Sequence, residues 1–202
     1  TSGLPDQLPN NDQLRRSQAE LPEFVAGATR VPLAFAPGSR YLYSSMGILL
    51  ATRVAELIAK TELRRLVQET VLTPLQMQRS AQGLGKFALT EMVPCQTEFA
   101  APEAGGGDPA AKSWDWNSLY WRKLGAPWGG THASASDVAK FLAELVSKEP
   151  RVLTRETCRL ARTNQNAAGL TPRGLGVAVG AAAGSPGCSA ETFGHTGSTG
   201  TI

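Results

Sequence analysis

Two short segments of this 202-residue chain hold the side chains best suited to chemistry. Pro37-Gly38 leads into Tyr43-Ser44-Ser45, which sets a phenol at the expected start of an apolar helix. Far along the chain, Gly194-His195-Thr196-Gly197-Ser198 sets an imidazole in a glycine-rich strand, where backbone N–H groups can come close to a substrate. A phenol ionises near pH 10 when unperturbed, too high for a base at neutral pH. A helix N-terminus just beyond it, or a nearby cation, favours the phenolate. Local spacing alone also fits, and favours, a half-buried aromatic packed on Leu49 and Leu50 with its hydroxyl bonded to backbone. A strand edge at His195 can pair with a substrate's main chain and offer N–H groups to an oxyanion, or it can be a glycine-rich turn with a surface histidine. His132, the other histidine, reads as structural. Cys188 lies seven residues before His195 and admits a thiol nucleophile, although residues 184–187 read as a loop between strands.

Several elements must position these groups. Residues 10–29 read as one or two short helices broken by Pro22. Pro32 to Gly38 is an extended approach and turn. A helix is expected from Ser44 or Ser45 to about Lys60, with Leu50, Val54, Leu57 and Ile58 as its inward stripe. A second helix, Glu62 to Thr70, turns Leu63, Leu66 and Val67 inward. From Ser80 to Pro127 the pattern is poor. Gly105-Gly106-Gly107 and Pro109 mark a surface loop, with Trp114, Trp116, Tyr120, Trp121 and Trp128 clustered behind it. Ser134-x-x-Asp137 resembles a capping box, opening a helix with Val138, Phe141, Leu142, Leu145 and Val146 on its apolar side. Thr154 can cap another helix to about Thr163. Period-two alternation begins only after Arg173, with Leu175, Val177 and Val179. A strand over Glu191–Thr196 and a further one at the chain's end are expected.

Composition excludes several classes. Net charge is +3, and the basic residues are scattered, with no clustered face for nucleic acid. No apolar run approaches the ~20 residues needed to span a bilayer. The three cysteines have no metal-ligand spacing, and their odd number leaves at least one unpaired within the chain. No metal or organic cofactor is implied. The pattern is that of an α+β chain: a mainly helical region over about 1–170 and strands of an antiparallel sheet over about 171–202. The chain starts without Met and stops in mid-strand by pattern, so a single domain incomplete at both ends is expected.

In order along the chain, the motifs resemble those of the serine β-lactamase, penicillin-binding protein and related esterase family. Thr1-Ser2-Gly3-Leu4-Pro5-Asp6 is similar to the segment after its nucleophile helix. Phe35 to Met77 resembles its Tyr-x-Asn block and following helix. Trp128-Gly129-Gly130 resembles its Gly-Gly block, and His195-Thr196-Gly197 its Lys-Thr-Gly motif in a His-Thr-Gly form. The resemblance implies the β-lactamase/transpeptidase-like fold and hydrolysis of an ester or amide through an acyl-serine intermediate. It implies catalytic roles for Tyr43 and His195, substrate and oxyanion contacts from Ser45, Thr196, Gly197 and the Ser198 N–H, and a periplasmic or extracellular setting. Ser45 stands where the family has Asn, and His195 where it has a permanently charged Lys. Both changes point away from a dedicated β-lactamase. No Ser is followed by Lys at three residues; Ser136 misses, with Lys140 four residues on. The nucleophile is therefore expected outside this chain, which alone should form no acyl-enzyme. The alternative is a non-catalytic relative that holds a peptide or cell-wall fragment.

Overall fold

The computed structural model describes residues 1–183 and 187–197. The first two helices, α1 (Asn11–Arg16) and α2 (Leu21–Ala28), are separated before Pro22, at Ser17–Glu20. Gln18 there takes a left-handed backbone with φ 56°. Pro22 does not break a helix as the sequence suggested. It sits in the first turn of α2, where its missing N–H has no partner to lose.

Helix α3 (Ser45–Ala59) begins and ends where its local chemistry dictates. Ser44 Oγ accepts the Gly47 N–H at 2.9 Å, and Lys60 closes the helix in a left-handed conformation, φ 52°. Such a cap contributes about 1 kcal/mol. The buried face is not the expected stripe. Met46 and Leu49 are buried, while Val54, Leu57 and Ile58 are 55%, 60% and 79% exposed. Only the first half of α3 packs on α2 and the aromatic core, so the apolar stripe of the second half stays in solvent. Helix α4 (Leu63–Val67) continues into a π turn over Gln68–Leu72, and Leu72, Leu75 and Met77 form a small second cluster.

The poorly patterned middle holds a long-range ladder that local periodicity could not show. Strand β1 (Ser80–Gln82) pairs antiparallel with β2 (Thr131–Ala133), with Ala81 opposite His132. Between them, Ser118 caps α5 (Leu119–Leu124) by accepting the Trp121 N–H at 3.0 Å. Gly130 allows the close return of the chain: a Cβ there would stand 2.4 Å from the Ala126 nitrogen. The tryptophans do cluster. Trp116 stacks on Trp121 at 5.5 Å, and Trp128 meets Trp121 edge-on at 6.0 Å. With Leu8, Phe24, Met46, Leu49 and Leu124 they build the main core. Arg15 is fully buried, its guanidinium 4.1 Å from the Trp121 ring centre and donating to the Glu103 carbonyl. Burial lowers its pKa to about 10, against the pull of Glu103.

Helix α6 (Ala135–Val146) is capped by Ser134, which accepts the Asp137 N–H. The reciprocal half of a capping box is absent. The buried Asp137 carboxylate instead accepts from the Arg79 N–H (2.7 Å), Ser80 Oγ (2.9 Å) and Lys140 Nζ (2.7 Å), tying α6 to β1. Here too the expected apolar side is half in solvent: Val138, Leu142 and Val146 are exposed, while Leu145 is buried. The Glu144 carboxylate accepts three N–H groups, from Arg151, Val152 and Leu153, and so shapes the turn into α7 (Arg155–Ala161), which Thr154 caps.

The final sheet is shorter than its alternation suggests. Strands β3 (Ala178–Val179) and β4 (Phe193–Gly194) pair antiparallel, with Ala178 opposite Gly194 and an isolated bridge from Arg173 to Ala178. Gly176 and Gly180, at φ 81° and 62°, bound β3 on either side. The strand expected at the chain's end lies outside the described residues. Among the described residues, no helix is long and apolar enough to cross a membrane, and no group of three or more His, Cys, Asp or Glu could hold a metal ion.

Candidate active site

The phenol and the imidazole, about 150 positions apart in sequence, stand side by side. The ring centres of Tyr43 and His195 are 5.8 Å apart, their planes inclined at 59°. Tyr43 arrives there on the extended lead into α3, two residues before its first turn. His195 arrives directly after β4, whose pairing with β3 sets its direction.

Tyr43 is 42% exposed. Among the described residues its hydroxyl has no hydrogen-bond partner, whereas the Tyr120 hydroxyl donates to the Ala19 carbonyl at 2.7 Å and burial pushes Tyr120 up to about 12. Burial also raises the pKa of Tyr43; Asp6 adds to the rise, and the Arg173 guanidinium opposes it. The phenolate expected from the helix N-terminus alone is thus opposed by burial and by a nearby carboxylate. Sequence reading missed both Asp6 and Arg173.

Asp6 has a second task. Its Oδ1 accepts from both the backbone N–H and the Oγ of Ser45, each at 2.7 Å, and Ser44 Oγ donates to the Pro5 carbonyl at 2.8 Å. These bonds clamp the N-terminal segment onto the start of α3. Ser45, expected to face substrate, is 4% exposed and directs its hydroxyl at Asp6.

On the opposite side, His195, Thr196 and Gly197 are exposed. His195 Nδ1 lies 2.7 Å from the Thr196 carbonyl oxygen. A carbonyl can only accept, so Nδ1 carries a proton and donates to it. Ser198, the expected oxyanion donor, lies outside the described residues. His132 packs as a structural group: Nδ1 contacts the Gly83 carbonyl at 3.0 Å, and burial lowers its pKa against the pull of that carbonyl. Cys188 is exposed, and all three cysteines are free. A groove of about 1100 Å³ lies elsewhere, lined by Leu49, Leu63 and Leu124 among others. Neither Tyr43 nor His195 lines it, and no histidine or cysteine does.

With this geometry in view, the comparisons with known proteins are informative. No curated protein matches the sequence. Among solved structures, the chain is similar to the D-amino acid amidase of Ochrobactrum anthropi SV3 complexed with L-phenylalanine amide, with a TM-score of 0.64 and 20% identity over 87% of this chain and 51% of that one. It is similar to a penicillin binding protein from Bacillus halodurans, TM-score 0.60, 22% identity, 88% and 54% covered. It is also similar to the octameric penicillin-binding protein homologue of Pyrococcus abyssi, TM-score 0.60, 19% identity, 87% and 40% covered. The chain spans about half the length of these structures. They share its β-lactamase/transpeptidase-like α+β fold. The family model described as Beta-lactamase matches residues 1–202, the whole chain. The chain therefore belongs to the Beta-lactamase family.

Proposed function

We propose that this chain supplies the tyrosine and histidine walls of a serine hydrolase cleft acting on an ester or amide through an acyl-serine intermediate. One observation bears the weight: Tyr43 and His195, the chemistry-bearing residues of two distant family motifs, face each other with ring centres 5.8 Å apart. In this reading a serine outside the 202 residues attacks the carbonyl. Tyr43 takes the serine proton and returns one to the leaving group, a step for which hydrogen-bond reach is required. His195 helps polarise the phenol and orient the substrate. Thr196 and Gly197 offer the strand edge to the substrate main chain, and the Ser198 N–H stabilises the oxyanion. Ser45 contributes by fixing α3 through Asp6 rather than by reaching the acyl side chain.

The test is labelling of the complete protein with a fluorescent acyl-serine probe. Loss of a general base typically costs 10²- to 10⁴-fold, so Tyr43→Phe is expected to slow labelling by about 100-fold. Equal rates would remove Tyr43 from the mechanism.

The non-catalytic alternative, a relative that holds a peptide or cell-wall fragment, draws on a specific observation as well. Burial and Asp6 both favour a protonated Tyr43, and a neutral phenol binds rather than abstracts. A complete protein that takes up no probe selects this second reading.

A further inference from the structure

Arg173 lies beside Tyr43 and Tyr41. Its guanidinium carbon is 5.9 Å from the Tyr43 ring centre and 5.9 Å from that of Tyr41, so one cation serves both rings. The position is held by backbone on both sides. Arg173 bridges to Ala178, whose other neighbour is Gly194, next to His195. Its N–H donates to Asn164 Oδ1 at 3.1 Å, and its carbonyl accepts the Gln165 N–H at 2.8 Å. Among the described residues no carboxylate forms an ion pair with the guanidinium. Among the described residues, the cation beside Tyr43 is therefore not committed to a carboxylate.

We propose that Arg173 is the fixed cation of this cleft, a positioning residue that holds Tyr43 beside Tyr41 and stabilises its phenolate. The proposal rests on the reading of Tyr43 as a proton-transfer group. A histidine, unlike a lysine or an arginine, is not a permanent cation. An arginine stays charged throughout the working range and can lie flat on an aromatic face. The groups facing Tyr43 are Asp6 from the N-terminal segment, Tyr41 from its own strand-like lead, His195 after β4, and Arg173 before β3. Burial opposes ionisation of Tyr43, as do Asp6 and Tyr41, and among the described residues Arg173 promotes it. A group whose ionised form is stabilised by a cation titrates at higher pH once that cation is removed.

The experiment is an NMR titration of the protein labelled at tyrosine Cζ. The chain has three tyrosines, and Tyr43 is assigned by its disappearance in Tyr43→Phe. An opposite charge at 4–6 Å shifts a titration by one to three units, less in part-exposed settings. In Arg173→Met the Tyr43 midpoint is therefore expected to rise by about one pH unit, and in Arg173→Lys by less than half of that. Tyr120 serves as the internal control of folding, because its hydroxyl is fixed on the Ala19 carbonyl in the main core region. Should Arg173→Met disturb the Tyr120 signal, Arg173→Gln is read in its place. An unmoved Tyr43 midpoint in a neutral variant with an undisturbed Tyr120 overturns the proposal. The titration is independent of acylation. A shifted Tyr43 in a protein that takes no acyl probe supports the role of Arg173 while the hydrolase reading fails. An unshifted one in a protein that labels fails this proposal alone.

Discussion

Tyr43 leads into a 15-residue helix whose first turn is closed by Ser44 and tied to Pro5 and Asp6 by short hydrogen bonds, whereas His195 follows a two-residue strand paired with another of the same length. The first wall is specified by local chemistry and sits on the main core through Met46 and Leu49. The second has little hydrophobic footing of its own. Its position depends on the chain just before β3, where the Leu175 N–H donates to the Ala161 carbonyl at 3.2 Å and Gly174 presses against the same carbonyl. The difference teaches that one wall is set by a helix and the other by a few backbone contacts at and just after the end of α7.

That asymmetry can be broken from the weaker side. A Cβ at Gly174 would stand 1.9 Å from the Ala161 oxygen, and the neighbour is backbone, which cannot swing away. Gly174→Ala is expected to destabilise by about 3 kcal/mol, at the upper end of overpacking, and to part His195 from Tyr43 while α3 keeps its structure. Urea unfolding measures the first effect, and loss of the contact between the two rings by NMR measures the second. An unchanged midpoint would show that α7 does not anchor the His195 wall.

The stronger wall is probed through its clamp. Asp6→Ala leaves the Ser45 N–H and hydroxyl without their acceptor in a buried place, an expected loss of about 2 kcal/mol. Because the Asp6 charge holds the Tyr43 pKa up, its removal should also lower the Tyr43 midpoint, the opposite of the change in Arg173→Met. Urea unfolding and the tyrosine titration read the two effects separately. A stable Asp6→Ala protein would mean that the clamp adds nothing to α3.

The smallest effect on stability should come from His195 itself. It is exposed, and among the described residues its only hydrogen bond is to its neighbour's carbonyl, so His195→Ala is expected to change stability by less than about 0.5 kcal/mol while slowing probe labelling. A large shift in the urea midpoint would reveal a packing role for the ring and weaken its assignment to chemistry.

The ends of α3 were legible in the sequence because capping is local: Ser44 and Lys60 stand where their chemistry requires. Its buried face was not. Periodicity groups Leu50, Val54, Leu57 and Ile58 on one side of the helix but says nothing of whether a neighbour covers that side. The same holds for Val138, Leu142 and Val146 of α6. The β1–β2 ladder joins residues some 50 positions apart over three pairs, too short for alternation to register. At the cleft, Tyr43 and His195 were found through the order of motifs, since no local pattern can pair residues so distant. Asp6 was quoted only as part of a motif, and its clamp on Ser45 exists only in three dimensions. Arg173 gave no signal beyond marking where alternation begins.

The free cysteines add a consequence of their own. Cys188 is exposed, whereas Cys158 is buried inside α7, its Sγ directed at the Glu144 carbonyl at 3.6 Å and its pKa raised by that burial. A thiol reagent meets the outer sulfur at once and the inner one only when α7 lifts away from α6. Since the same helix supplies the Ala161 carbonyl beneath Gly174, that rare opening also removes the floor under His195. The slow alkylation of one hidden sulfur therefore counts how often the cleft loses a side.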